Sequence, residues 1–300
     1  MDQTLEILFL LCILISVYIL YFRLNKPNHT SRLEGFTSIS PFEFKDNQAK
    51  YDTFYANLYD TIHKTKPQTH FDFQQILRLT QPNATSNFLD IGSGTGTMVN
   101  RIERAGFRAF GLDSSQDMIS YATTNYPHNE YIYGDATNTM QFESDTFTHV
   151  VCTHFTIYEI EDKPQLFRNI FKWLKPDGVF ILHLVDVQKF DCLVPIGKVA
   201  GVPNIQDYTP TRVNASSTEF PGFFYTHEYH FLHDHQATQI ETFVDKSSSA
   251  IRKQETRLML SPIEDVLSLA KQAGFQTKTH INYMDYNHDQ YQYLYVLEKS

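Results

Sequence analysis

Three hundred residues, 42% of them hydrophobic, suffice for one large domain or two small ones. The chain is acidic, with 34 Asp and Glu against 25 Lys and Arg. It has no basic run long enough to track a phosphate backbone, which argues against a nucleic-acid partner. Cys12, Cys152 and Cys192 are too few and too scattered for a disulfide framework, so a reducing compartment is expected.

At the N-terminus, Leu5 to Phe22 (LEILFLLCILISVYILYF) is apolar except for Glu6 and Ser16. As a helix it would span roughly 27 Å at about 1.5 Å per residue, close to the hydrocarbon thickness of a bilayer. A cleavable leader normally has a basic start and small residues at its end. Here the start is acidic (Asp2, Glu6), and Tyr18, Tyr21 and Phe22 crowd the far end. A single-pass transmembrane anchor over residues 1–24 is expected. Arg23, Lys26 and Arg32 follow it, which places the remainder on the cytoplasmic side. Residues 25–42 are polar and aperiodic and read as a linker.

From Glu43 to Thr65 the apolar positions Tyr51, Phe54, Tyr55, Leu58, Tyr59 and Ile62 recur at helical spacing, and a second helix is expected over Thr69 to Thr80. Alternation then begins. NFLDIG is a short strand, GTMVNRIERAG a helix, RAFGLD a strand and SQDMISYATTNY a helix. YIYGDA and FTHVVCTH follow as strands, then the helix KPQLFRNIFKW, a Pro-Asp-Gly turn and a fifth strand, VFILHLVD. Strands alternating with helices indicate an α/β fold with a doubly wound, mostly parallel sheet. After Asp186 the chain turns irregular, and GFFYTHEYHFL, ATQIETFVDK and AIRKQETRLML read as an antiparallel β insertion. The helix PIEDVLSLAKQAG and the strands FQTKTHINYM and YQYLYVLEK close the chain. The expected domain is 43–300, with its core in 85–187 and 261–300 and a substrate cover in 188–260.

The chemistry centres on NFLDIGSGTG. At a strand-to-helix turn, Gly92, Gly94 and Gly96 let a ligand approach the backbone near free N–H groups. Asp90 precede the turn, and Asp113 ends the next strand, where a carboxylate can accept from a ribose diol. An anionic diphosphate beside Asp90 would be repelled, whereas an adenosine carrying an amino acid suits both carboxylates.

FLDIGSGTG, GLDSS, YGDAT, FTHVVCTHFTIYEI and FKWLKPDGVFILHLV together resemble the successive motifs of class I S-adenosylmethionine-dependent methyltransferases, over about residues 85–187. The resemblance implies S-adenosyl-L-methionine as cofactor and an antiparallel last strand in the sheet. It also implies that Asp90 contacts the methionine amino group, with Gly92, Gly94 and Gly96 shaping the loop. Asp113 would take the ribose hydroxyls, Ser114 and Met118 border the adenosine, and Asp135 and Ala136 meet the adenine. The tyrosine-rich segment from Tyr51 resembles a lid found in small-molecule methyltransferases, making Tyr51 and Tyr59 candidates to close over the cofactor.

His154 and Tyr158 follow the fourth strand, where the resemblance puts the active-site mouth. His154 could orient or deprotonate an acceptor and Tyr158 could hydrogen-bond it; both could equally pack beneath the adenine. An Asn/Asp-Pro-Pro-aromatic run, which resembles base-methylating enzymes, is missing here; the residues are THFT. Phe223, Tyr225, His227, Tyr229 and Phe231 alternate onto one strand face and form either a pocket wall or ordinary packing. His227 and His230 of HEYHFLHDH point to opposite faces, so no metal is expected. The expected activity is methyl transfer to N or O of a small-molecule or lipid-linked acceptor. A protein methyltransferase acting on a membrane neighbour, and a non-catalytic cofactor-binding scaffold, are the alternatives.

Overall fold

The computed structural model describes Ile15 and residues 41–198, 202, 204–233 and 235–300. The chain divides into units 1–34 and 35–300, and every element below belongs to the second. The expected anchor and nearly all of the linker lie outside the described residues, among which no helix is long and apolar enough to cross a membrane.

A seven-stranded sheet forms the centre. Its strands are β2 (Asn87–Ile91), β3 (Arg108–Asp113), β4 (Glu130–Tyr133), β5 (Phe147–Cys152), β6 (Leu174–Val185), β11 (Phe275–Tyr283) and β12 (Asp289–Lys299). They lie in the order β11-β12-β6-β5-β2-β3-β4. From β4 to β6 all pairs are parallel, whereas β12 runs antiparallel to β6 and β11 antiparallel to β12. The strand runs are apolar at nearly every position because both faces are covered. Leu89, Val150, Phe180 and Leu182 face one core cluster; Phe88, Val151 and Ile181, each one residue out of step, face the other. α6 (Lys163–Trp173) and α7 (Ile263–Gln272) supply the first cluster with Phe167, Trp173, Val266 and Ala270. α2 (Thr65–Thr80) and α3 (Thr97–Arg104) supply the second with Phe73, Ile76, Val99 and Ile102.

The insertion forms a second sheet in the order β1-β10-β9-β8-β7, built from β7 (Ala215–Glu219), β8 (Phe223–Phe231), β9 (Gln236–Asp245) and β10 (Ile251–Met259). The fifth member, β1 (Phe42–Asp46), was not expected: it pairs in parallel with β10 from a segment read as linker and helix. Its exposed Phe42 and Phe44 alternate with Glu43 and Lys45 at a period of two, a strand signal that the helical spacing downstream obscured. α1 (Thr53–His63) starts only after Asp52, whose carboxylate caps it by accepting from the Tyr55 N–H. The second helix begins at Thr65 rather than Thr69. ASSTE, read as irregular, is β7.

Arg252 fastens the N-terminal segment to this sheet. The guanidinium is 2% exposed, donates to both Asp52 oxygens (2.9 and 3.0 Å) and to the Lys50 carbonyl (3.3 Å), and lies over the Phe54 ring (4.6 Å). The pairing fixes where Lys50 and Tyr51 sit.

Candidate functional site

A cavity of about 460 Å³ opens at the C-terminal ends of β2, β3, β4 and β5, the edge where ligands bind in open α/β sheets. Gly92 and Gly94 line it with backbone φ of +68° and +50°. A Cβ on Gly92 would stand 2.5 Å from Thr156, so glycine is required there by space as well as by φ.

The loop's hydrogen bonds decide what it can hold. Gly92 and Ser93 donate their N–H groups to the Leu112 carbonyl, Gly96 to Ser93, and Gly94 to Asp113 Oδ2 (2.8 Å). These donors are committed within the protein, so the loop does not form the cradle of free N–H groups that a diphosphate needs. What the loop presents instead is acidic. Asp113 ends β3 on the cavity wall, held by the N–H groups of Gly94 and Ser115, each at 2.8 Å. Burial pushes its carboxyl up to about 6 despite the donors from Ser115 and Gly94. Asp90 is 4% exposed and has no side-chain hydrogen bond among the described residues. Burial, then the neighbouring Asp113 and Asp72, raise its pKa well above the usual carboxylate value. Asp113 on the wall is thus the carboxylate that can meet a nucleoside, with Asp90 behind it.

The remaining expected residues divide. Ser114, Met118, Asp135, Ala136, Tyr51, Tyr59 and His154 all line the cavity. Asp135 accepts from the N–H and hydroxyl of Thr137 (2.8 Å each), and the Ala136 carbonyl accepts from Asn169 (2.9 Å), which fixes this part of the wall. Asp90 and Gly96 stand behind the wall. The Gly96 carbonyl accepts from the Tyr131 hydroxyl (3.2 Å). Tyr158 does not reach the cavity: it is 0% exposed in the main core, and its oxygen accepts from the Val185 N–H (2.9 Å). On the single turn α5 (Thr156–Glu159) its neighbour Glu159 faces the cavity instead, the two side chains diverging by the helical step.

His154 adopts φ +53°, a conformation that costs a non-glycine residue on the order of 1 kcal/mol or more and gathers at functional sites. Its carbonyl is held by His183 Nδ1. Burial, with His183 and His63 nearby, holds its imidazole down to about 3, so it is neutral.

Beyond His154 the wall changes character, and apart from Tyr51 and Tyr229 its residues were not singled out in the sequence. Glu159 Oε1 accepts from the Tyr51 hydroxyl (2.5 Å) and lies 4.0 Å from Lys50 Nζ, a lysine 2% exposed and set over the Tyr51 ring (4.6 Å). Glu161, Asp162 and Asp191 add carboxylates; Asp191 pairs with Lys198 at 2.6 Å. Tyr229 and Gln239, from the inner face of the second sheet, and His63, from α1, complete this end. Of the aromatic face of β8, Phe223, Tyr225, His227 and Tyr229 are buried, while Phe231 is 37% exposed. Among the described residues no group of three His, Cys, Asp or Glu side chains is placed to hold a metal ion.

Comparison with known proteins agrees with this geometry. Residues 89–182 match the family described as methyltransferase domain. Phosphoethanolamine N-methyltransferase 1 of Triticum aestivum is 36% identical over 104 residues, 33% of this chain and 20% of that enzyme, so the chain spans about a fifth of that relative's length. An S-adenosylmethionine-dependent methyltransferase from Clostridium acetobutylicum ATCC 824 superposes with a TM-score of 0.61 at 17% identity, covering 81% of this chain and 97% of its own. An amino pentose methyltransferase from Micromonospora echinaspora, solved with S-adenosylmethionine bound, gives a TM-score of 0.56 at 15% identity, covering 78% and 91%. The segment from Leu89 to Leu182 thus matches the methyltransferase-domain family, and the chain has the α/β fold of the solved S-adenosylmethionine-dependent methyltransferase it superposes on.

Proposed function

We propose that the protein is an S-adenosylmethionine-dependent methyltransferase acting on a nitrogen of a small, amine-bearing acceptor. One observation carries the reading: a single cavity is lined both by Asp113 and Asp135 and by a further acidic set, Glu159, Glu161, Asp162 and Asp191. We assign the first group to the nucleoside end and the second to the end that takes a cation or an amine. The names of the relatives point the same way, one an N-methyltransferase of phosphoethanolamine and one a methyltransferase of an amino pentose. Lys50 and Lys198 give the acceptor end its positive counterpoint, suited to an anionic or hydroxylated tail on the same molecule.

Bound S-adenosylmethionine would supply a sulfonium-activated methyl group. The chain's own contribution is placement. Asp113 and Asp135 hold the nucleoside end; His154, with its carbonyl pinned by His183, lines the same cavity. Tyr229 and Gln239 form part of the cover against water. Covered on this side by the second sheet, the cavity favours small acceptors over a protein side chain.

The apolar Leu5–Phe22 segment is proposed to anchor the chain with this domain on the cytoplasmic side, which would present the cavity to amines at a membrane, including lipid-linked ones. Incubation with methyl-labelled S-adenosylmethionine, small amines and a membrane extract tests the function. Label entering an amine fraction is expected, and label confined to protein would reverse the choice of acceptor.

A further inference from the structure

α1 brings a second imidazole to the cavity wall, and its surroundings fix its hydrogen. His63 packs against Tyr59 with ring centroids 4.4 Å apart, and its Nε2 lies 3.0 Å from the Tyr55 hydroxyl oxygen. That hydroxyl is 2.8 and 2.7 Å from the two oxygens of Glu241. Glu241, 1% exposed, also accepts from the Tyr225 hydroxyl (2.8 Å) and from Gln254 Nε2 (2.9 Å). Burial opposes its ionisation, but the donors from Tyr55, Tyr225 and Gln254 converge on it and Lys50 favours the charged form, so its pKa lies below the usual carboxylate value. An ionised carboxylate only accepts, so the single proton of Tyr55 goes to Glu241, and the Tyr55 oxygen can only accept from His63. His63 therefore carries its hydrogen on Nε2. Its other nitrogen, Nδ1, keeps a free lone pair and has no protein partner among the described residues.

We propose that His63 Nδ1 accepts a hydrogen bond from an N–H of the acceptor amine, and that Tyr55 and Glu241 are positioning residues that hold the ring in this tautomer. The device rests on the methyl-transfer reading and names its substrate class. An amine whose N–H is bound to Nδ1 has its lone pair turned away from the ring, free to form the new C–N bond while the C–S bond breaks and its electron pair stays on sulfur. Burial keeps His63 neutral, with its pKa lowered to about 4; Lys50 adds to this, while Glu241 and Asp60 oppose it. Nδ1 is thus an acceptor across the physiological range. His154 is the weaker choice for this role, because no side chain among the described residues hydrogen-bonds its ring.

The arrangement limits how many methyl groups are added. Primary and secondary amines retain an N–H for Nδ1 when they attack; a tertiary amine has none. The enzyme is therefore a mono- and dimethylating one that stops short of the quaternary ammonium.

The test uses the full chain. With ¹⁵N-labelled histidine, NMR should show His63, assigned by its loss in His63→Gln, as the Nε2–H tautomer, and Tyr55→Phe should mix the tautomers. With phosphoethanolamine and its N-methyl and N,N-dimethyl forms as probes, kcat/KM should fall at least 100-fold on the third. His63→Gln should lower kcat/KM at least tenfold on the first two while leaving S-adenosylmethionine affinity unchanged. An Nδ1–H tautomer, undiminished turnover in His63→Gln, or rapid quaternary product would each overturn the proposal. Failure to bind S-adenosylmethionine at all would instead sink the methyltransferase reading. Binding it while methylating none of the three probes would sink the amine acceptor and this device with it.

Discussion

Asp113→Asn separates the two tasks of one carboxylate. In the folded protein its oxygens each take a backbone N–H at 2.8 Å, from Gly94 in the glycine loop and from Ser115 at the start of α4 (Gln116–Asn125). Asparagine keeps one oxygen, so one of these N–H groups faces an amide NH₂ and the loop loses a fixed point. On the ligand side, a charged hydrogen bond to a ribose hydroxyl contributes roughly 1.5–3 kcal/mol. Its loss weakens S-adenosylmethionine by roughly 10- to 150-fold at about 1.4 kcal/mol per decade. A pH arm sharpens the test. Because burial raises this carboxyl to about 6, ionised Asp113 is complete only above about pH 7, and donors on the ligand bind the ionised form. Wild-type affinity should fall as pH drops through 6, by up to about tenfold per unit, and the variant should show a flatter profile. Titration calorimetry at pH 5.5 and 8, with thermal melts of the unliganded proteins as a control for folding, reads both. A variant that melts like wild type and binds within about twofold of it at pH 8, where roughly 1.5 kcal/mol or more should be missing, would refute the assignment.

Tyr158→Phe should leave turnover intact and lower stability by roughly 1–3 kcal/mol, since the buried Val185 N–H loses its acceptor. Urea titration beside an activity assay checks this, and lost turnover at unchanged stability would return Tyr158 to the site. Asp72 is 0% exposed and burial raises it to about 7, against the hydrogen bond from the Tyr283 hydroxyl (2.6 Å). A raised carboxylate pKa gives stability that is complete below about pH 4 and lost as pH rises through 7. Asp72→Asn should therefore resist alkaline pH better than wild type, on the order of 1.4 kcal/mol per unit of pKa difference. Identical responses of both proteins in urea melts at pH 5 and 8 would dispose of the burial argument. Carbonate extraction of the full-length chain should leave it with the membrane; release into the supernatant would exclude a spanning Leu5–Phe22 helix.

Most of the residues expected to hold the nucleoside line the cavity, with Asp90 and Gly96 behind its wall, and they were legible in the sequence because they are local. Asp90 to Gly96 is one strand end and one turn, Asp113 closes the next strand, and Asp135 and Ala136 lie just past the end of the one after. Each position follows from strand–helix alternation, which the apolar runs declare openly. The doubly wound, mostly parallel sheet followed from the same alternation and the antiparallel β12 from the resemblance, whereas the strand order itself was not read. β1 was missed because five residues pairing with a strand more than two hundred positions away leave little local trace.

The acceptor half is assembled from distant segments, and there local rules mislead. Tyr158 and Glu159 are adjacent on one turn, and which of them faces the cavity depends on where the core lies. Lys50 is exposed or buried according to whether Arg252 ties its segment to β10. Yet β9 carried a usable signal. In QATQIETFVD the inward positions Ala237, Gln239, Glu241 and Phe243 alternate strictly, and two of the four are polar. A glutamate on the buried face of an amphipathic strand demands donors there. Tyr55 on α1, Tyr225 at the register neighbour of Phe243, and Gln254 opposite Glu241 supply them. Counting what a buried carboxylate must be given leads to Tyr55, and the direction of the Tyr55 proton leads on to His63 and the cavity. Polar residues that break an apolar face are thus the places where the second sheet shows its use, and the methyl acceptor is best sought at the end of that chain of donors.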